Sequence, residues 1–158
     1  MRRDPVTREV LSLLAGMSTR FLGEYDAAAA AQDLTGVQAR LLAVVADRPV
    51  PMNQIASVLK CEPSNITGLV DRLAARGLVT REPSPTDRRV KLITVTESGA
   101  ELSAKVWAAL DFAAEPLAAL SADERLALRD LLRRISADDP TALETAAMTA
   151  ATAAVPAD

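Results

Sequence analysis

The stretch LVTREPSPTDRRVKLITV, residues 78–95, decides the fold. Two extended runs, about 78–83 and 89–95, flank a loop of Pro, Ser, Thr and Asp. This pattern predicts a β-hairpin with a long tip. The tip carries Arg88 and Arg89, with Lys91 close behind, in a chain with 18 Lys+Arg against 21 Asp+Glu. An acidic chain has placed a basic cluster where a hairpin projects.

The residues just before the hairpin predict two short helices. MNQIASVLK, residues 52–60, has Met52, Ile55 and Leu59 on one side. CEPSN is a tight connection, with Pro63 at the first position of the next helix. That helix runs from Pro63 to Arg76 and is stopped by Gly77. Ile66, Leu69, Val70 and Leu73 form its apolar stripe. Ser64, Asn65, Thr67, Gly68, Asp71, Arg72 and Ala75 are left for the outer faces. Two short helices joined tightly and followed by a hairpin make a winged helix-turn-helix. The second helix can enter a DNA major groove, with its first residues facing base edges. Ser64, Asn65 and Thr67 have small hydrogen-bonding side chains suited to reading bases, and Gly68 lets the backbone come close. Arg72 and Arg76 are expected on phosphates. Arg88 and Arg89 are expected in a minor groove, whose negative potential attracts inserted arginine.

The charge is local. From Lys60 to Lys91, seven basic residues (Lys60, Arg72, Arg76, Arg81, Arg88, Arg89, Lys91) face four acidic ones (Glu62, Asp71, Glu82, Asp87), a net of +3 in a chain whose net charge is −3. Overall acidity therefore does not argue against a nucleic-acid partner. Asp71 would repel phosphate, so it is expected to orient an arginine rather than touch DNA.

Further out, Val6, Val10, Leu13, Leu14, Met17, Phe21 and Tyr25 recur at spacings of three and four and predict a long helix over residues 6–31. RPVP breaks a second helix that starts at LTGVQARLLAVVAD, where Thr35 and Gln38 have capping-box spacing. Thr96 caps a fifth helix with Leu102, Val106, Leu110, Leu117 and Leu120 as apolar members, which Pro116 is expected to kink or break near its end. Ser121 and Glu124 open a sixth helix, through Ile135. Three long amphipathic segments (6–31, 97–115 and 121–135) are too much apolar helix for one small winged module, which points to a homodimer. The expected organisation is a DNA-binding domain at 34–96, a helical dimerisation region from 6–31 and 97–136, and an Ala/Thr-rich acidic tail, mobile or a short helix, at 137–158.

Composition narrows the function classes. Aromatics are only 3%, so the core must be Ala, Leu and Val, which favours helices. The single cysteine, Cys61, excludes an intramolecular disulfide, and the N-terminus lacks the apolar stretch of a signal peptide, so the expected compartment is the cytoplasm. No apolar run approaches the roughly 20 residues of a membrane span, so no membrane partner is expected. There is no histidine, no pair of carboxylates on a recognisable loop and no glycine-rich phosphate cradle. No catalytic residue, metal ligand or cofactor is therefore assigned, and the chain is expected not to be an enzyme.

Residues 69–99, LVDRLAARGLVTREPSPTDRRVKLITVTESG, resemble the signature of the MarR family of transcriptional regulators. The matching elements are Asp71-Arg72-Leu73, Gly77-Leu78-Val79, Asp87-Arg88-Arg89, then Val95-Thr96 and Gly99, with Val95 replacing the usual Leu. LTGVQARLL, residues 34–42, is similar to the family's second helix. The strong match covers about 30 residues, and the helix order agrees over 6–135. The resemblance implies a symmetric homodimer with its first and last two helices intertwined. It implies binding to a pseudo-palindromic double-stranded DNA operator, usually as a repressor. It also implies release by a small, often aromatic or phenolic effector, or by an oxidant.

Several residues keep two readings. Met17, Phe21 and Tyr25 either line an effector pocket or simply pack the first helix. Cys61 is either a small residue in a turn or a redox sensor beside a helix N-terminus and Lys60; it lacks an intrachain resolving partner. Oxidant-sensing family members place their cysteine in the first helix, where this chain has none. A winged helix used only as a protein-interaction module is the remaining alternative.

Overall fold

The computed structural model describes residues 4–110 and 115–136. Its elements run α1 (Pro5–Ala30), α2 (Gly36–Val44), β1 (Val50–Pro51), α3 (Met52–Leu59), α4 (Pro63–Ala75), β2 (Val79–Pro83), β3 (Lys91–Val95), α5 (Glu97–Ala108), α6 (Glu115–Ala118) and α7 (Ala122–Ile135). The architecture is mostly helical, with one three-stranded antiparallel sheet in the order β1-β3-β2. The expected 137–158 tail lies outside the described residues.

Local chemistry sets the helix ends. Asp4 caps α1 by accepting the Thr7 backbone N–H at 3.0 Å, and Pro5 occupies the first turn, where its missing N–H costs nothing. Thr35 and Gln38 form a reciprocal capping box on α2, at 3.3 and 2.8 Å. Ser121 and Glu124 do the same for α7, at 3.2 and 2.8 Å. Gly77 follows α4 with φ 70°, the left-handed conformation that suits glycine at a helix stop.

The core sits where α2, α3, α4 and the sheet meet. Leu41, Leu42, Ile55, Ile66, Leu73 and Ile93 are fully buried there. Each such side chain stabilises the fold by roughly 1.5–3 kcal/mol. The C-terminal end of α1 joins through Tyr25, Ala28 and Ala29, and α5 joins through Val106. Phe21 packs partly against the core, and the N-terminal part of the α1 stripe stays largely open. Val6 is 66% and Leu13 61% exposed, and α7 buries none of its residues, with Leu131 and Ile135 at 54% and 68%.

Two expectations need correcting. RPVP is more than a break: Val50 and Pro51 pair with Ile93 and Leu92, so the segment adds a third strand to the hairpin. The fifth helix is shorter than its leucines suggest. It closes at Ala108, where the Ala109 N–H bonds to Lys105 O and the Leu110 N–H to Trp107 O. Pro116, expected to kink or break this helix, lies in the first turn of a separate helix, α6, to which Leu117 also belongs. Leucine spacing alone cannot report where the backbone ladder stops.

Candidate nucleic-acid interface

The interface grows from the α3–α4 connection. Lys60 ends α3 in the left-handed conformation, φ 51° and ψ 41°, and the Cys61 N–H reaches back to Ala56 O at 3.0 Å. This is a helix stop of the kind glycine usually makes, here carried by lysine. Glu62 contributes no side-chain cap; α4 starts on Pro63, which has no N–H to satisfy, and the Asn65 and Ile66 N–H groups bond to Glu62 O at 2.9 and 3.3 Å. The Ile66, Leu69, Val70 and Leu73 stripe is buried and fixes which face points out.

Four expected residues share one exposed concave surface. Ser64, Asn65, Gly68 and Arg72 line it together with Val37, Cys61 and Leu69, around a volume of about 370 Å³. Arg72 Nη2 lies 3.7 Å from where a Cβ on Gly68 would stand, an ordinary contact. Gly68 is therefore not demanded by packing inside the chain. Thr67 is exposed but not part of this surface, and its Oγ1 donates to Pro63 O at 3.3 Å. Arg76 is already engaged: Nη1 donates to Asp33 O at 2.6 Å, tying the end of α4 to the α1–α2 corner.

The hairpin tip is built by its polar residues. Ser84 is buried; its N–H bonds to Val90 O at 2.9 Å, and its Oγ accepts the Thr86 N–H at 3.3 Å. The Asp87 carboxylate accepts the Arg89 N–H, and its carbonyl accepts the Val90 N–H, each at 2.9 Å. Asp87 thus shapes the turn through backbone rather than by pairing with a guanidinium. Arg88 and Arg89 are exposed, and among the described residues neither enters an ion pair. Sequence reasoning expected Asp71 to orient an arginine but did not name it. The partner is Arg81 of β2, with Nη2 2.5 Å from Asp71 Oδ1.

A second cavity, of about 400 Å³, opens between α1, α2, α3 and α5. Phe21, Leu22, Tyr25, Val44, Val58 and Trp107 supply apolar walls, with Arg40 and Lys60 among the other residues lining it. Phe21 sits 5.9 Å from Tyr25 and 6.4 Å from Trp107, ring to ring. Burial pushes the Tyr25 hydroxyl up to about 12, so it stays protonated and able to donate. Arg40 reaches Asp26 at 3.6 Å. Of the three expected effector residues, Phe21 and Tyr25 line this cavity and Met17 does not; Met17 is 41% exposed. Among the described residues there is no cluster of metal-ligating side chains, and no helix long and apolar enough to cross a membrane.

A tight pair of short helices followed by an antiparallel hairpin, with polar side chains along the second helix and arginines at the hairpin tip, defines a winged helix-turn-helix. Residues 32–90 match the profile of the MarR family. Over 139 residues, 87% of this chain and 88% of the relative, the sequence is 32% identical to the HTH-type transcriptional repressor NicR of Pseudomonas putida. Among solved structures, CouR from Rhodococcus jostii bound to p-coumaroyl-CoA is 29% identical with a TM-score of 0.68, covering 87% of this chain and 97% of that one. A variant of Escherichia coli MarR complexed with operator DNA shares the fold, at 23% identity and TM-score 0.64 over 84% of this chain and 99% of that one. The chain belongs to the MarR family, and these relatives are transcriptional regulators rather than enzymes.

Proposed function

We propose that this protein is a homodimeric, sequence-specific DNA-binding regulator, a repressor released by a small ligand. The observation that carries this reading is one of charge and exposure together. An acidic chain holds Ser64, Asn65, Gly68 and Arg72 on one open surface of α4 and exposes Arg88 and Arg89 at a hairpin tip, outside any ion pair among the described residues. In this reading α4 lies in a major groove, Ser64, Asn65 and Thr67 meet base edges, and Gly68 allows close approach. Arg72 holds a phosphate, Arg76 does so by leaving Asp33, and the wing arginines enter the flanking minor groove.

Residues 34–96 form the DNA-binding unit in this scheme, and 6–31 with 97–136 the dimerisation region. The exposed apolar residues of α1 and α7 support a twofold partner, since a row such as Val6, Val10 and Leu13 is unfavourable in water. Two α4 helices would then stand about 34–36 Å apart, one DNA turn. The cavity walled by Phe21, Tyr25 and Trp107 is the proposed effector site. Its aromatic lining and flanking cations suit a small aromatic anion; CouR binds p-coumaroyl-CoA, whose acyl group is aromatic. Met17 stands outside the cavity and is assigned to the dimer interface.

Fluorescence anisotropy on duplexes from the region upstream of its own coding sequence, against a scrambled control and across a salt series, tests the reading. Palindrome-dependent binding that falls steeply with salt is expected. No preference over scrambled DNA would leave two choices, an effector already bound or a winged module diverted to a protein partner, and repeating the assay on refolded, ligand-stripped protein separates them. Asn65→Ala is expected to cost about 1–3 kcal/mol on the preferred duplex and much less on scrambled DNA. Equal losses on the two would assign Asn65 to positioning.

A further inference from the structure

Most of the sheet is supported by the core, but its far end is not. β3 is the central strand, and β1 pairs with it only at Ile93 and Leu92. β2 is an edge strand. Beyond Leu92 the hairpin has only its own two strands, and the angle at which it leaves the domain needs another restraint. Arg81 supplies one. Its Nη2 stands 2.5 Å from Asp71 Oδ1 and donates to Thr67 O at 3.3 Å. Both acceptors belong to α4 and lie one turn apart.

We propose that Arg81 is a positioning residue that sets the angle between wing and recognition helix. Held this way, the arginines at the tip and the polar face of α4 engage neighbouring grooves of one duplex together. The inference rests on the DNA-binding reading above and deepens it. The charge of Arg81 is offset by Asp71, so the residue adds no free cation to the interface. The pair is partly exposed, and such pairs add little to stability. Its contribution is geometric: two contacts on one helix stop the ribbon from swinging, and ordering the wing before DNA arrives removes an entropic cost from binding.

The test compares Arg81→Ala, Asp71→Asn and the exchange Asp71→Arg/Arg81→Asp with the wild type, on the tightest upstream duplex and on scrambled DNA. Arg81→Ala is expected to weaken binding to the preferred duplex roughly tenfold, within the coupling range of residues in contact. Scrambled-DNA affinity and the salt slope should hardly change, and the exchanged pair should recover part of the loss, since an aspartate at 81 restores the ion pair but cannot donate to Thr67 O. Hydrogen exchange supplies an arm that needs no DNA: the Ser84 and Val90 amides should exchange faster in Arg81→Ala while α2 amides do not. A salt slope lowered by about one would make Arg81 a phosphate contact and overturn the proposal. Equal losses on both duplexes, or unchanged exchange at the tip, would also overturn it. If the wild type prefers no duplex, the DNA-binding reading fails by itself, and the exchange arm still decides whether Arg81 holds the wing.

Discussion

Replacing Arg88 and Arg89 together by alanine is expected to lower the slope of log K against log salt by about two and to weaken DNA binding roughly a hundredfold or more. Both side chains are exposed, and the turn beneath them is held by other groups: Asp87 on the Arg89 and Val90 amides, Ser84 on Thr86 and Val90. Removing the guanidinium groups therefore leaves the wing's shape intact. Charge-assisted contacts to phosphate or groove atoms contribute about 1.5–3 kcal/mol each, so losing two spans more than a hundredfold in affinity. The thermal melting curve should not move. A salt titration of the double variant by anisotropy checks the claim, and an unchanged slope removes the wing tip from the interface.

The second large effect concerns stability. Gly99→Ala is expected to destabilise the protein by about 3–5 kcal/mol, beyond ordinary overpacking. A Cβ at Gly99 would lie 2.0 Å from Leu78 O and 2.9 Å from Val95 Cγ2. Leu78 O is backbone and already accepts the Thr96 N–H at 3.1 Å, so it cannot step aside alone. The start of α5 would have to lift, straining the Thr96 Oγ1 bond to Gly77 O at 2.7 Å and the cap from Thr96 to the Gly99 N–H at 3.1 Å. Such a loss is a large share of the roughly 5–15 kcal/mol that holds a domain folded. Urea unfolding followed by circular dichroism measures it directly. A midpoint close to wild type would show that this corner yields more easily than its contacts imply.

Gly99 also illustrates what could be read from the sequence. It was visible as a spaced element of the signature, but its reason, a backbone oxygen from the α4–β2 corner, is tertiary. The legible parts were those whose chemistry lies within three or four residues. The Thr35–Gln38 and Ser121–Glu124 boxes, the stop at Gly77 and the buried stripe of α4 all stand where local rules put them. Val50 was hidden because Pro49 and Pro51 read as a break, while its partner Ile93 lies more than forty residues away. The end of α5 was hidden because Leu110, Leu117 and Leu120 continue an apolar spacing that the backbone does not follow. At the candidate site, sequence chemistry chose side-chain types well suited to DNA, but contacts across the fold decide what each is free to do. Arg76 reads like a phosphate ligand and rests on Asp33 O; Arg81 reads only as one of seven clustered basic residues and joins β2 to α4.

Lys60 sets two kinds of selection against each other. A side chain in the left-handed region costs about 1 kcal/mol relative to glycine, so Lys60→Gly should raise the melting temperature by a few degrees. Differential scanning calorimetry checks this. The same exchange strips an ammonium group from the wall of the proposed effector cavity and loosens the link that leads into α4. Laboratory evolution for heat resistance alone would be drawn to glycine at this position, and evolution for ligand response would be drawn away from it.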